Sequence, residues 1–288
     1  MKGHFHITCT RKANGSSYLR RQSFAAPLHL SKPHEDAGAL VVNMVSPTAG
    51  VFDDDEIDIR ARVEAGARLV LTTPSSSRIY RSRNGGYGAV RQAFTVEAGG
   101  FLEFYPEPFI PHAGARYRQT NTIAVASDAT LLYFEWLTPG RTASGEVFEY
   151  AELQWDTDIA VGEKLLLRER HKLTPHDTSL ASLRLAWPQA HYLSCCVVCP
   201  QISGATMPFP LAEIEALGEG GESGGQGVPD GARPGSRVYI GCGPLALPGS
   251  WSIKALCADS LAARATMGSL RGILYAAMGG APPFLGRF

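Results

Sequence analysis

The feature that most restricts the fold of this chain is the alternation of apolar and polar residues through its first two-thirds. Ile57, Ile59, Ala61 and Val63 alternate with Asp58, Arg60 and Arg62. A period of two places one set on a single face of an extended strand. Val90, Phe94 and Val96 continue the pattern, with Gln92 as the exception. Leu132, Phe134 and Trp136 alternate again, and Tyr133 makes that strand apolar on both faces, as in strands covered by protein on both sides. The strand ends also recur. Val63-Glu64-Ala65-Gly66-Ala67-Arg68-Leu69 is echoed by Val96-Glu97-Ala98-Gly99-Gly100-Phe101-Leu102 and, more faintly, by Val125-Ala126-Ser127-Asp128-Ala129-Thr130-Leu131. The spacing is about 30 residues. Gly66 and Gly99 supply φ > 0 in such turns, and Asp128 tolerates it. The pattern predicts a mainly β, layered fold of stacked hairpins, with an ordinary meander as the plainer reading.

The last third reads differently. From Glu213 to Arg237, and most strongly over Gly218 to Gly227, the chain cannot bury enough apolar surface to offset its ordering entropy, so 213–237 is predicted to be a flexible glycine-rich loop. Val238-Tyr239-Ile240 reads as a short strand. Leu256, Leu261, Ala265, Leu270 and Leu274 recur near helical spacing, which predicts a long C-terminal helix over 252–279, ended by Gly279-Gly280 and by Pro282-Pro283 beyond it.

Lys plus Arg and Asp plus Glu each number 27. A neutral chain offers no field to gather nucleic acid or an anionic membrane, so neither is an expected partner. Neutrality also removes the repulsion that keeps copies apart, and the isolated chain is expected to self-associate. No apolar run suits a signal peptide, and none approaches the ~18 residues of a membrane span. Six cysteines in such a chain read as reduced thiols, and the expected compartment is the cytoplasm.

Motifs of catalysis and tight metal binding lack their contexts. Gly221-Glu222-Ser223-Gly224-Gly225 matches G-x-S-x-G, but a nucleophile elbow needs a strand before it and a helix after it. Cys196-Val197-Val198-Cys199 has no second ligand pair, so it reads as a buried strand. His4 and His6 share one face of an extended segment, with a solvated terminus as the plainer reading. Gly241-Cys242-Gly243-Pro244-Leu245-Ala246 is a degraded dinucleotide fingerprint interrupted by proline.

Isolated acids remain: Glu103, Glu135, Glu146 and Glu169, each beside apolar or strand-forming residues. A buried carboxylate is costly unless paired, hydrated or metal-bound. Arg78, Arg81, Arg116, Arg118 and Arg141 are the candidate partners under a purely structural reading.

Four segments then carry a family resemblance. They are Leu71-Thr72-Thr73-Pro74-Ser75-Ser76-Ser77-Arg78-Ile79-Tyr80-Arg81-Ser82, Leu102-Glu103-Phe104-Tyr105-Pro106-Glu107-Pro108-Phe109-Ile110-Pro111, Gly114-Ala115-Arg116-Tyr117, and Gly140-Arg141-Thr142-Ala143-Ser144-Gly145-Glu146-Val147-Phe148. In order and spacing they resemble the UreD family, also called UreH. Near Ala49 to Glu56 the chain keeps the family's acid at Asp55 but lacks three of its glycines. The resemblance implies one UreD-like domain over 1–288, with a β-helix-like or β-sandwich fold and a few helices. It implies a non-catalytic scaffold that binds UreF, recruits the GTPase UreG and docks on apo-urease to assist nickel insertion. It implies transient Ni(II) rather than a tightly bound cofactor. The implied transit path is Asp55, Glu135 and Glu169, with Thr72 and Ser77 as polar lining and Glu103 and Glu146 as weaker candidates. Carboxylates that hold a divalent ion in succession suit transfer better than a thiolate–imidazole cage. An all-β hydrolase or metalloenzyme with an unrecognised site is the alternative, and a plain interaction module is a third.

Overall fold

The computed structural model describes residues 1–48, 50–175, 190–203, 208–219 and 238–286. The longer strands are β1 (Lys2–Arg11), β2 (Ser17–Ala25), β3 (Ala39–Val45), β4 (Glu56–Val63), β5 (Arg68–Thr72), β6 (Gly88–Val96), β7 (Phe101–Tyr105), β8 (Arg116–Val125), β9 (Thr130–Leu137), β10 (Glu152–Val161), β11 (Lys164–Leu173), β12 (His191–Val198), β13 (Val238–Pro244) and β14 (Ser250–Cys257). The helices are α1 (Leu211–Glu219) and α2 (Ser260–Ala277). The first sheet runs β11-β10-β8-β6-β4-β1-β2, and the second runs β13-β14-β12-β9-β7-β5-β3.

The chain winds between the two sheets as a β-solenoid of about four turns. Within the coil, β4, β6, β8 and β10 pair in parallel, as do β3, β5, β7 and β9. The recurring turns are therefore successive corners of a coil, and they replace the stacked hairpins expected from spacing. Val63, Val96, Val125 and Val161 lie in one register row, so the sequence echo is a physical stack. Gly66 and Gly99 turn the corners at φ +67° and +61°. Asp128 is not among the left-handed residues. A Cβ on Gly99 would meet nothing within 4 Å. Gly99→Ala should thus cost only the backbone term of an L-residue at positive φ, about 1–2 kcal/mol, read as a lowered urea midpoint with unchanged slope.

Two apolar layers result. Inward residues of both sheets interdigitate, with Phe94 against Phe104 and Tyr133 at ring-centroid distances of 5.1 and 6.4 Å. The outer face of the second sheet packs on α1 and α2. That second layer explains why β9 is buried on both faces: Tyr133 points into the coil, while Phe134 and Trp136 point toward the helices.

The C-terminal third departs from expectation in two places. The predicted helix over 252–279 is strand β14 followed by α2. Ile253, Ala255 and Cys257 are buried in alternation, which is strand periodicity. The helix begins where the Asp259 carboxylate accepts the Ala262 N–H at 2.8 Å. Its buried stripe is Ala263, Thr266, Met267, Leu270, Arg271, Leu274 and Tyr275, whereas Leu261 and Ala265 face solvent. The predicted loop over 213–237 opens inside α1, anchored by Ile214 at 0 % exposure, with Phe209 stacked on Trp251 at 4.0 Å just before it. The remainder of that stretch, including Ser223, lies outside the described residues. No helix among the described residues is long and apolar enough to cross a membrane.

Candidate functional site

The interior of the coil carries a polar seam. In register, Gln92, Asn121, Thr157 and Glu169 form one row across the first sheet, and Gln119, Trp155 and His171 form the next. Tyr133 and Glu135 of β9 face them. On the second sheet Glu135 is in register with Ser194, and Ser194 with Lys254. These are inward positions that pure apolar packing would fill with valine or leucine. Gln92, the exception in the sequence pattern, lies on this seam, and its Oε1 is buried with no hydrogen-bond partner among the described residues.

Glu135 is the centre. It is 6 % exposed. Its Oε1 accepts from Trp155 Nε1 at 2.7 Å, the Tyr133 hydroxyl at 2.9 Å, Asn121 Nδ2 at 3.1 Å and Thr157 Oγ1 at 3.4 Å. The chain of bonds extends outward: Gln119 Nε2 donates to Asn121 Oδ1 at 2.9 Å, and the Tyr117 hydroxyl donates to Gln119 Oε1 at 2.6 Å. No cationic side chain among the described residues pairs with Glu135. Burial raises its pKa above the ordinary carboxylate range, against the lowering pull of Trp155 and Tyr133. A cavity of about 130 Å³ abuts it, lined by Tyr150, Trp155, His171, Tyr192 and Leu256 among others.

Glu169 closes the seam at the edge strand. Its carboxylate pairs with Lys254 Nζ, and His171 Nε2 stands 3.6 Å from its other oxygen. Burial works to raise its pKa, but the flanking His171 and Lys254 outweigh that and leave it lowered. Glu135 and Glu169 are thus brought to one region: the Glu169 charge adds to the upward shift of Glu135, and both carboxylates disfavour ionisation of Tyr133.

The other predicted residues lie elsewhere. Asp55 sits ahead of β4 at the end of the coil. Its carboxylate takes the Met1 ammonium at 2.7 Å and the Phe52 N–H at 2.9 Å. Asp54 beside it adopts φ +60°, a left-handed turn held at a position where the resemblance leads one to expect glycine. Thr72 is buried on the helix-facing side of the second sheet, donating to the Tyr105 carbonyl at 2.5 Å. Ser77 opens a short strand that pairs beside Phe109 and is half-buried. Glu103 is fully buried under α2, bound by Arg271 and by the Tyr275 hydroxyl at 2.7 Å. Glu146 pairs with Arg141, the one ion pair of the structural reading that falls between an acid and an arginine both named there for these sites.

Gln119, Asn121, Thr157, Trp155, His171 and Lys254 were not singled out by sequence reasoning. The signal was present in part: extending the Val96 and Val125 rows backward two residues at a time places Gln92, Gln119 and Asn121 inside. The buried thiols are ordinary core. Cys195, Cys196 and Cys199 carry free, buried sulfurs whose pKa values burial raises. His4 and His6 belong to β1, paired on both sides, so they stand on a rigid outer sheet face with rings 4.8 Å apart. No group of three His, Cys, Asp or Glu side chains is placed to hold a metal among the described residues.

Fold and site together define a class: a short two-sheet β-solenoid with a carboxylate-centred polar seam through its core and a helical layer on one side. The family model described as UreD urease accessory protein matches residues 1–288. The chain belongs to that family. It is 35 % identical over 274 residues to the urease accessory protein UreD of Opitutus terrae, covering 94 % of this chain and 93 % of that one. It is 31 % identical over 194 residues to the UreD of Acetivibrio thermocellus, covering 66 % and 73 %. It is 28 % identical over 184 residues to the urease accessory protein UreH of Helicobacter hepaticus, covering 64 % and 73 %.

Proposed function

We propose that this protein is a urease maturation factor, a non-catalytic scaffold that works with UreF and UreG on apo-urease and passes Ni(II) along the seam of the coil. Family membership supports the maturation role. The observation that supports the passage is Glu135: a carboxylate inside a two-sheet core, held by neutral donors alone. An acid kept only for stability would be matched by a cation, as Glu103 is. Oxygen donors offset part of the hydration that a divalent ion loses, yet bind late transition metals less tightly than thiolates do. Gln92, Asn121 and Thr157 of one row and Gln119 of the next supply further oxygens. Asp55, at one end of the coil, is the entry or exit acid in this reading.

The test is to co-express urease with its accessory proteins, carrying Glu135→Gln or Asp55→Asn. Glutamine preserves the acceptor oxygen for Trp155 and Tyr133, so unfolding stability should stay within about 1 kcal/mol. Nickel in the purified urease should fall by about tenfold or more while UreF binding persists. Full nickel loading by both variants would refute the passage. Loss of the fold would assign these acids to structure.

A further inference from the structure

Among the described residues, three buried or half-buried glutamates away from the seam share one kind of partner. Glu103, Glu107 and Glu146 are each gripped by an arginine, Arg271, Arg264 and Arg141. In each the guanidinium meets both carboxylate oxygens, a fixed planar fork. On the seam the partner changes type. Glu169 is held by Lys254, a point charge on a flexible stem, and Glu135 by no cation among the described residues.

Lys254 is placed for a moving part. It projects inward from β14, in line with Ser194 and Glu135 on the second sheet, and crosses to Glu169 on the first. The Tyr192 hydroxyl accepts a second bond from Nζ at 3.2 Å. Tyr192 and His171 also wall the cavity that ends on Glu135. The Glu169 side chain is 9 % exposed and needs a cation, while the Lys254 side chain is 40 % exposed and has room to swing outward. An arginine fork would have to break two directed bonds to do the same.

We propose that Lys254 is a tethered stand-in for the divalent ion: its ammonium neutralises Glu169 between transits, and each passing ion displaces it. This rests on the reading that nickel travels along this seam. The consequence is transience. A tethered monovalent cation competes for Glu169 at high effective concentration, so the ion is never held by both Glu135 and Glu169 without opposition. Removing the competitor turns a relay point into a trap.

The experiment uses the full chain and Ni(II) alone, in a His4→Ala/His6→Ala background so that the surface imidazole pair contributes nothing. Lys254→Met should bind Ni(II) at least about tenfold more tightly than the background chain, read by calorimetry and by quenching of Trp155. Its thermal midpoint should be low in chelator and should rise with Ni(II) far more than that of the background chain. Adding Glu169→Gln should abolish both gains. Lys254→Arg keeps the charge and guards against a poorly folded methionine variant. It should bind Ni(II) more weakly than the background chain. A methionine variant with unchanged affinity and no rescue by Ni(II), or an arginine variant that binds as well as the background chain, overturns the proposal. These readouts involve no urease. A failed passage would show instead as full urease loading by Glu135→Gln, so the two failures are told apart.

Discussion

Arg271→Ala should lower the unfolding free energy by about 3–5 kcal/mol, the range for stripping one partner from a buried ion pair. Glu103 is completely buried on β7, and its carboxylate accepts from Arg271 and from the Tyr275 hydroxyl, both on α2. Arg271 Nη2 also donates to the Pro283 carbonyl at 3.0 Å, so one guanidinium ties the helix, the sheet and the C-terminal segment together. Alanine leaves the Glu103 charge sealed without a cation. The double variant Glu103→Leu/Arg271→Met removes the charge along with its partner and should recover most of the loss. Denaturant titration of the three variants decides the matter. If the double variant is as unstable as Arg271→Ala, packing of the arginine stem, rather than the stranded charge, is the cause.

The second large effect is acid sensitivity from His191. Trp136 Nε1 donates to His191 Nδ1 at 3.2 Å, which requires a lone pair on that nitrogen and hence an imidazole without a proton there. His191 is 3 % exposed, and burial pushes its pKa down to about 4, with the Asp259 carboxylate pulling weakly the other way. In the unfolded chain the group titrates near ~6.5. Above that value neither state holds the proton and the full stability is present. As the pH falls from ~6.5 toward 4 the unfolded state takes up a proton that the native state refuses, and stability drops by up to about 3 kcal/mol. His191→Gln retains a hydrogen-bond acceptor and cannot titrate. Its stability should be flatter over that window, by the equivalent of one proton. Equal losses for wild type and variant between pH 7 and 4.5 would remove His191 as the origin.

Much of the coil was legible because its rows repeat. The alternation at Ile57 to Val63 and the echo at Val96 and Val125 are the coil's own geometry written along the chain, since parallel in-register strands place like residues in stacks. The direction of pairing was not legible: hairpins and coil corners use the same glycines, and the difference lies in where the next strand goes. The C-terminal strand was missed because a short apolar run such as Ile253 to Cys257 fits either period, and only the Asp259 cap separates it from the helix. At the site, Glu135 and Glu169 could be named from the resemblance, but their neighbours could not. Asn121 and Thr157 are unremarkable in sequence, and Lys254 reads as a surface lysine. Their proximity comes from long-range register, which no local pattern carries.

The order of the first sheet has a bearing on growth. Parallel in-register coils are open-ended in principle, since each turn offers its edge as a template for another. Here both edges of that sheet are strands that run back against their neighbours, β2 and β11. Both carry cations outward, Arg20 and Arg21 on one and Arg168, Arg170 and Lys172 on the other. Several of those cations are already held by nearby acids, Arg20 by Glu64 and Arg168 and Arg170 by Asp158, so the rims present closed ion pairs rather than a bare apolar edge. The stack is terminated at both rims by reversal, much as a capping monomer ends a polymer.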